Sequence, residues 1–389
     1  MRLLFSYLGG LGHFYPLVPV VRAVVGAGHE IAVAGSGRLT DHVEALGFQA
    51  LATSPPRPAD EPPRARDLAP MPAVDARAAE VEFAENFADK GTRRHATRIL
   101  EHCRDWRPDV VVRDEADFGS AIAAEVCGLP VAQVLVLAAG TLIRPDLVTP
   151  RIEAVRAEHG LPADPGLRML TRGLVLSPFP PSFRSPDSPV PLPADACAYR
   201  TGPRSERTAR PGRRSQVYVT LGTVFSTDCG DLFERLLAGV AGLDADVLVT
   251  VGQHIAPSDF GPQPDHVRIE RFVPQDEVLG RTDLVVSHGG SGALLGALTH
   301  GLPSVLLPLG ADQPHNASRA AELGVARTLD AATTTAQTIR ETIQMSLADE
   351  EMARRAHAMA DECARFPAVE ATVARLEALS AGDACTSSD

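Results

Sequence analysis

The sequence predicts an α/β protein built from two doubly wound, Rossmann-like domains, each with a parallel sheet, facing a central cleft. Strand–helix–strand alternation opens the chain, and it resumes after a stretch rich in Pro, Ser and Arg. A length of 389 residues, with 44% apolar and 22% charged residues, suits two globular domains better than one. Ligands of such folds bind at the carboxyl ends of the strands, so we expect the functional site in the cleft.

The first half alternates short apolar runs with helical patterns. Residues 2–7 form an apolar run that ends in glycines, residues 16–27 a helical pattern, and residues 30–34 another apolar run, which together predict a β-α-β unit. The same order recurs at 110–113, 121–126 and 131–137. Seven prolines between residues 53 and 72 predict a long irregular loop.

The second half repeats the alternation after residue 214. Strands are expected at 216–221, 246–251, 268–271, 284–287 and 304–307, and helices at 229–241, 293–299 and 317–323. We therefore predict a first domain over 1–200, a linker over 201–214 and a second domain over 215–365. A closing helix and tail over 366–389 are expected to pack back toward the first domain.

Composition excludes several classes of protein. A formal charge of −12 argues against a nucleic-acid partner, since phosphate backbones are bound by clustered Lys and Arg. The six scattered cysteines form no CxxC pair, which favours a reduced, cytoplasmic location without a zinc site or disulfide framework. The apolar run 131–143 is shorter than the ~20 residues that span a bilayer, so no membrane span is expected.

An anion site is predicted where the strand 284–287 ends. His288-Gly289-Gly290-Ser291-Gly292 follows the strand, and a helical pattern begins at once. Backbone amides at a helix start, under the helix dipole, suit a phosphate, and glycines let it approach closely. His288 would add a hydrogen-bond donor. A tight turn with a buried histidine is the alternative for these residues.

Polar and aromatic residues follow the neighbouring strands. Asp312 and Gln313, after the strand 304–307, combine an acceptor and a donor that suit adjacent sugar hydroxyls. Upstream, Phe272-Val273-Pro274-Gln275 follows the strand 268–271. Together with the phosphate turn, these residues form an ordered set of motifs.

The segment from Arg271 to Asn316 resembles the donor-binding region of family 1 glycosyltransferases of the GT-B fold, above all the actinomycete enzymes that glycosylate macrolides, enediynes and aromatic polyketides. The resemblance implies a diphosphate on His288 and on the amides of Gly290, Ser291 and Gly292, and a sugar on Asp312 and Gln313. It further implies that Phe272 stacks on the base, that the Val273 backbone reads the edge of the base, and that Thr223 is a second phosphate contact. A plain capping role for Thr223 stays open.

One position departs from that family pattern. Members that use UDP-sugars place a glutamate eight residues after the motif histidine, where it binds both ribose hydroxyls, and here that position is Gly296. A dTDP-sugar lacks the 2′-hydroxyl, so a carboxylate would be left partly unsatisfied. We therefore expect a dTDP-sugar donor as co-substrate and no cofactor.

His13 is the candidate general base. It follows the first strand and its glycines, so its ring should face the cleft, and a neutral imidazole suits deprotonation of a hydroxyl. The family pairs this histidine with a carboxylate after the strand 110–113. Asp114 fills that place, while Glu115 and Asp117 remain alternatives.

Together with the resemblance, these features imply direct displacement with inversion at C1 and without a metal. The reaction expected from the resemblance transfers a deoxysugar to a hydroxyl of an apolar natural-product aglycone in antibiotic biosynthesis. The Asp244-x-Asp246 pair precedes a strand and is interpreted as a surface turn, not a metal site. The acceptor is expected in the first half, near Phe83, Phe87, Phe118 and Leu142, although these side chains could equally form core. A sugar-nucleotide epimerase, a non-catalytic partner protein and a carbon-linked product remain alternatives, and the sequence leaves a homodimer open.

Overall fold

The computed structural model describes residues 1–56, 58, 66, 68–202, 212–222, 227 and 229–382. Of these, the residues within Met1–Glu61, Arg77–Gly202 and Phe366–Asp389 form one compact unit, and those within Pro62–Ala76 and Pro203–Arg365 form the other. Thr223, most of the predicted linker 201–214 and the last seven residues of the tail lie outside the described residues.

The first unit contains a seven-stranded parallel sheet in the order β3-β2-β1-β4-β5-β6-β7, as far as the chain is described. Its strands are β1 (Arg2–Ser6), β2 (Glu30–Gly35), β3 (Ala50–Ala52), β4 (Val110–Asp114), β5 (Val131–Val134), β6 (Leu174–Ser177) and β7 (Cys197–Ala198). β1 and β4 pair with Phe5 opposite Val112, and both are buried along almost their whole length. Such central strands read as continuous apolar runs in the sequence.

The helices of this unit are α1 (Leu11–Phe14), α2 (Val18–Gly26), α3 (Thr40–Ala45), α4 (Ala76–Phe83), α5 (Thr92–Trp106), α6 (Phe118–Cys127), α7 (Pro145–Glu158) and α14 (Ala371–Ser380). Short 3₁₀ turns occupy Tyr15–Leu17, Gly37–Leu39, Arg168–Leu170 and Pro181–Phe183. A π-helical segment, Ala84–Gly91, connects α4 to α5. Leu376 of α14 is fully buried in the core formed by α2 and the central strands.

Several predicted elements have different limits in the structure, and two of these differences have a clear physical reason. The helix expected over 16–27 is preceded by α1 and a 3₁₀ turn, because Pro16 and Pro19 lack the N–H that a continuous helical ladder needs. The strand expected over 131–137 ends at Val134, because the Glu115 carboxylate accepts hydrogen bonds from the amides of Val136 and Leu137 at 3.2 and 3.0 Å.

The second unit contains a six-stranded parallel sheet in the order β10-β9-β8-β11-β12-β13 within the described ranges. Its strands are β8 (Ser215–Thr220), β9 (Ala245–Thr250), β10 (Val267–Glu270), β11 (Leu284–Ser287), β12 (Ser304–Leu306) and β13 (Ala326–Thr328). Its helices are α8 (Leu232–Val240), α9 (Gln275–Leu279), α10 (Ser291–Thr299), α11 (Gln313–Glu322), α12 (Ala336–Leu347) and α13 (Glu350–Ala364), with a 3₁₀ turn at Pro257–Phe260.

Part of the proline-rich loop belongs to this second unit, although the sequence placed residues 1–200 in the first domain. The Arg66 guanidinium lies 2.9 Å from the Glu234 carboxylate and 4.6 Å from the centre of the Phe260 ring. The Ala69 carbonyl and Met71 lie against Gly230. No helix among the described residues is both long and apolar enough to cross a membrane.

Candidate active site

His13 and Asp114 come together at the carboxyl edge of the first sheet. His13 lies on α1, which begins at Leu11, five residues after the end of β1, and Asp114 is the last residue of β4. The His13 Nδ1 and Asp114 Oδ1 atoms are 3.4 Å apart. The imidazole is 19% exposed while the carboxylate is fully buried. A proton on Nδ1 that faces the carboxylate leaves Nε2 as the nitrogen that can accept a proton.

Backbone geometry fixes both members of this pair. Asp114 accepts hydrogen bonds from the Leu8 amide at 2.8 Å and from the Ala116 amide at 2.6 Å, which hold its carboxylate between the ends of β1 and β4. Gly9 has φ of +121°, and a Cβ there would lie 2.7 Å from Cδ2 of His13. Glycine is therefore required at position 9 both by its backbone conformation and by the imidazole that covers it.

Asp117, the alternative partner for His13, belongs to a separate buried network. Its carboxylate accepts from the hydroxyls of Ser6 and Ser120 at 2.7 and 2.6 Å, and it lies 3.1 Å from Nε2 of His95. Burial would raise the pKa of Asp117, but His95 and the hydroxyls stabilise the anion and lower that pKa to about 2. Asp117 also caps α6 through the Ser120 amide. Geometry thus assigns Asp114, not Asp117, to the neighbourhood of His13.

The four side chains expected to line an acceptor site differ in position. Phe83, Phe118 and Leu142 are buried in one core cluster, so they support the fold. Phe87, on the π-helical segment, is half-buried and stacks on the His13 imidazole with ring centres 5.0 Å apart and 29° between their planes. Phe87 therefore borders the candidate base.

In the second unit, β11 leads through three residues into the start of α10. Gly290 is the N-cap, and no side chain in the described chain caps this helix. The first intrahelical hydrogen bond is donated by the Leu294 amide to the Gly290 carbonyl, at 3.0 Å. The amides of Ser291 and Gly292 precede that ladder, at the positive end of the helix dipole. This is the arrangement in which helix starts bind phosphate.

His288 lies directly under this helix start. A Cβ on Gly290 would be 2.4 Å from its Nε2 atom, and a Cβ on Gly222 would be 2.7 Å from its Cε1 atom. The two glycines therefore form a slot for the ring. Desolvation lowers the pKa of His288 to about 4, against the opposing effect of a hydrogen bond with the Thr220 backbone. His288 is neutral at pH 7, so a second N–H for a phosphate oxygen requires a proton taken up on binding.

The sugar-site candidates lie against the same helix start. The Ser291 hydroxyl donates to Asp312 Oδ2 at 2.5 Å. Gln313 is 2% exposed, and its side-chain oxygen accepts from the amides of Leu309 and Gly310 at 2.7 and 3.3 Å, so only its amide nitrogen is left for a sugar hydroxyl.

Asn316 holds these groups in place. It is fully buried, and its amide nitrogen lies 3.0 Å from the Gly289 carbonyl, 3.2 Å from the Ser291 hydroxyl and 2.8 Å from Asp312 Oδ2. Sequence reasoning assigned Asn316 no role. Its spacing of four residues from Asp312 within a helix was the signal that could have revealed it.

The residues expected to bind the base of the nucleotide lie in the connection between β10 and α9. Phe272 is 54% exposed, which leaves its ring face accessible, while Val273 packs against the core. Behind this connection α9 packs on α10: a Cβ on Gly296 would lie 2.8 Å from Cδ1 of Leu279 and 3.1 Å from Oε1 of Gln275. Gln275 and Leu279 thus fill the space that a side chain at position 296 would need.

The Asp244-x-Asp246 pair has a structural explanation. Asp244 and Asp246 both pair with Arg214, at 3.0 and 3.4 Å, near the amino end of β9. Within the described ranges, no three His, Cys, Asp or Glu side chains group together as metal ligands would.

Two family models match this chain. They describe the N-terminal and C-terminal domains of proteins like erythromycin biosynthesis protein CIII, and they cover residues 22–222 and 234–379. The chain belongs to the erythromycin biosynthesis protein CIII-like family. This CIII-like protein is a GT-B glycosyltransferase of actinomycete natural-product biosynthesis, and so an enzyme.

Its relatives are similar over nearly their whole length. This chain is 29% identical to tylactone mycaminosyltransferase of Streptomyces fradiae, covering 98% of this chain and 93% of the relative. It is 28% identical to 10-deoxymethynolide desosaminyltransferase of Streptomyces venezuelae, with 98% and 97% covered. Among solved structures, glycosyltransferase SnogD from Streptomyces nogalater superposes with a TM-score of 0.73 at 26% identity, covering 98% and 99%. Spinosyn rhamnosyltransferase SpnG, complexed with thymidine diphosphate, gives 0.78 at 23% identity, with 97% and 100% covered.

Proposed function

We propose that this enzyme transfers a deoxysugar from a dTDP-sugar to a hydroxyl of a natural-product aglycone, with inversion at C1 and without a metal ion. The observation that carries this proposal is the start of α10, which no described side chain caps and which lies over His288 and beside Asp312. The transferase names of the two curated relatives support a natural-product acceptor.

His13 is the base in this mechanism. Its Nε2 atom removes the proton of the acceptor hydroxyl as that oxygen attacks C1 of the sugar, and the buried Asp114 carboxylate stabilises the imidazolium that forms. A single displacement of this kind inverts the configuration at C1, because the nucleophile enters opposite the leaving group.

The leaving diphosphate needs its developing charge stabilised. In this proposal the amides of Ser291 and Gly292 and the dipole of α10 supply that stabilisation, as an oxyanion hole does, and His288 adds a donor once protonated. Asp312 and the Gln313 amide nitrogen orient the sugar, and Asn316 positions Asp312.

The preference for dTDP rests on Gly296. A Cβ there would lie against the ends of the Leu279 and Gln275 side chains, which would both have to shift to admit a glutamate. A nucleotide without a 2′-hydroxyl has no need of such a partner. Phe272 offers its exposed face to the pyrimidine.

Competitive titration of the protein with dTDP and UDP tests the donor assignment. We expect dTDP to bind about tenfold more tightly, equivalent to roughly 1.4 kcal/mol, and Phe272→Ala to weaken both nucleotides. Equal or tighter binding of UDP contradicts the assignment. Incubation with dTDP-sugars and aglycones, with mass-spectrometric detection of a glycoside, tests the transfer itself.

A further inference from the structure

The first unit contains a pocket of about 210 Å³ beside the candidate base. Gly9 and Phe87 line it, and both contact the His13 imidazole: Phe87 stacks on the ring, and Gly9 lies under it. A molecule whose hydroxyl reaches His13 therefore has this space open to the rest of its structure.

One wall of the pocket is polar. Ser36, Thr53 and Ser54 follow the carboxyl ends of β2 and β3, and Asn86 of the π-helical segment is a further polar lining residue. The hydroxyls are held in place: the Thr53 hydroxyl donates to the Gly35 carbonyl at 2.9 Å, and the Ser54 hydroxyl accepts from the Gly37 amide at 3.1 Å. A wholly apolar ligand would bury these groups without replacing their contacts with water.

The other side of the pocket is aromatic and uncharged. Phe87, which stacks on His13 and on Phe83, and the buried Tyr7 line it. Burial raises the pKa of Tyr7 to about 12, so its phenol carries no charge at neutral pH. The π-helical bonding explains how Phe87 reaches this position. A Cβ on Gly91 would lie 2.4 Å from the Asn86 carbonyl and 2.8 Å from Leu8, so only glycine permits the widened turn to press against the end of β1.

Arg94, in the first turn of α5, gives the pocket a positive charge. It is exposed and lines the pocket, and no carboxylate in the described part of the chain lies within ion-pair distance of it. Its neighbour Arg93 is instead paired with Asp89 at 3.0 Å and with Glu158. None of the described residues that line the pocket is acidic.

We propose that this pocket binds a carboxylate-bearing part of the acceptor, with Arg94 taking the carboxylate and the edge of the Phe87 ring bordering the ligand. The inference rests on the proposed glycosyl transfer and narrows its acceptor class: the aglycone is not purely apolar but carries a carboxylate. The guanidinium group of an arginine matches a carboxylate in shape and charge. The hydroxyls that line the pocket suit hydrogen bonds to other oxygen atoms of the ligand.

Binding of 4-hydroxybenzoate and of its methyl ester to the full-length protein tests this proposal, because the two probes differ in charge at one group. We expect the acid to bind about fivefold more tightly than the ester, the size of effect that an exposed ion pair supplies. Arg94→Gln should reduce the affinity for the acid to that for the ester and leave the ester unchanged. Arg94→Lys should keep part of the difference.

Arg104→Gln is the matched control, since Arg104 is an exposed arginine of the same helix that does not line the pocket. Equal affinities for acid and ester, a difference that survives Arg94→Gln, or no saturable binding of the acid at millimolar concentration would each overturn the inference. Titration with dTDP on the same samples separates the two proposals. If the wild-type protein binds dTDP but shows no preference for the acid, the pocket assignment alone is refuted. If the wild-type protein does not bind dTDP, the proposed function is refuted.

Discussion

Asp114→Asn removes the negative charge beside His13 with almost no change in side-chain volume. The distance of 3.4 Å between Nδ1 and Oδ1 corresponds to roughly 5 kcal/mol of attraction for an imidazolium at an effective dielectric constant of about 20. Because the imidazole is 19% exposed, solvent screens part of this interaction. We take about 3 kcal/mol as the loss in the transition state, which predicts a decrease in kcat of roughly a hundredfold.

The substitution also disturbs the fold locally. Asp114 accepts one backbone amide on each carboxylate oxygen, from Leu8 and from Ala116, and an asparagine offers only one acceptor oxygen. One buried N–H then faces an NH₂ group, at a cost of about 1–3 kcal/mol of stability. Unfolding by denaturant therefore has to accompany the kinetics, so that turnover is measured where the variant is folded.

Steady-state transfer from a dTDP-sugar, measured by chromatography of the glycoside, gives kcat, and calorimetric titration with dTDP gives donor affinity. We expect donor affinity within about twofold of the wild type, because no donor contact is assigned to the first unit. Asp244→Asn, which changes a carboxylate that is 98% exposed, is the control for charge alone. A folded Asp114→Asn variant with kcat within about threefold of the wild type would refute the assignment of Asp114.

Three other predictions concern the helix start of the second unit. Gly290→Ala places a Cβ 2.4 Å from the His288 ring and should weaken dTDP binding about tenfold by overpacking. The control Gly280→Ala, with no atom within 4 Å of its Cβ, should bind dTDP normally. Equal binding by both variants would contradict the claim that Gly290 leaves room for the His288 ring. Because the pKa of His288 is lowered to about 4, dTDP binding should be accompanied by proton uptake and should tighten as the pH falls from 8 to 6. Calorimetry in buffers of different ionisation enthalpy should detect this uptake, and His288→Gln should reduce it. Asn316→Ala should destabilise the protein by about 1–3 kcal/mol in denaturant unfolding and raise the KM for the donor, and an unchanged KM would show that Asn316 does not position Asp312.

The parallel sheets could be predicted because buried parallel strands read as apolar runs and their helices as amphipathic stretches. Short edge strands such as Ala50–Ala52 and Cys197–Ala198 lack that signal, and the sequence analysis did not find them. The early end of β5 could not be predicted either. It depends on the carboxylate of Glu115, which lies 21 residues away in the chain from Val136.

The residues of the candidate site could be proposed from the sequence, but their supporting contacts could not. Local sequence alone could not separate Asp114 from Asp117, since both follow the same strand, although Asp117 stands three residues before Ser120 at the start of an apolar run, which is an N-cap signature. The sequence analysis expected Gly290 to admit phosphate and assigned no role to Gly222. Their contact with His288 arises only when β8 and β11 lie side by side.

A crystal structure with bound dTDP tests the central claim most directly. We expect the diphosphate oxygens within hydrogen-bond distance of the Ser291 and Gly292 amides, over the His288 ring, with the pyrimidine on the face of Phe272. Diphosphate density elsewhere, with the start of α10 occupied only by water, would contradict the account.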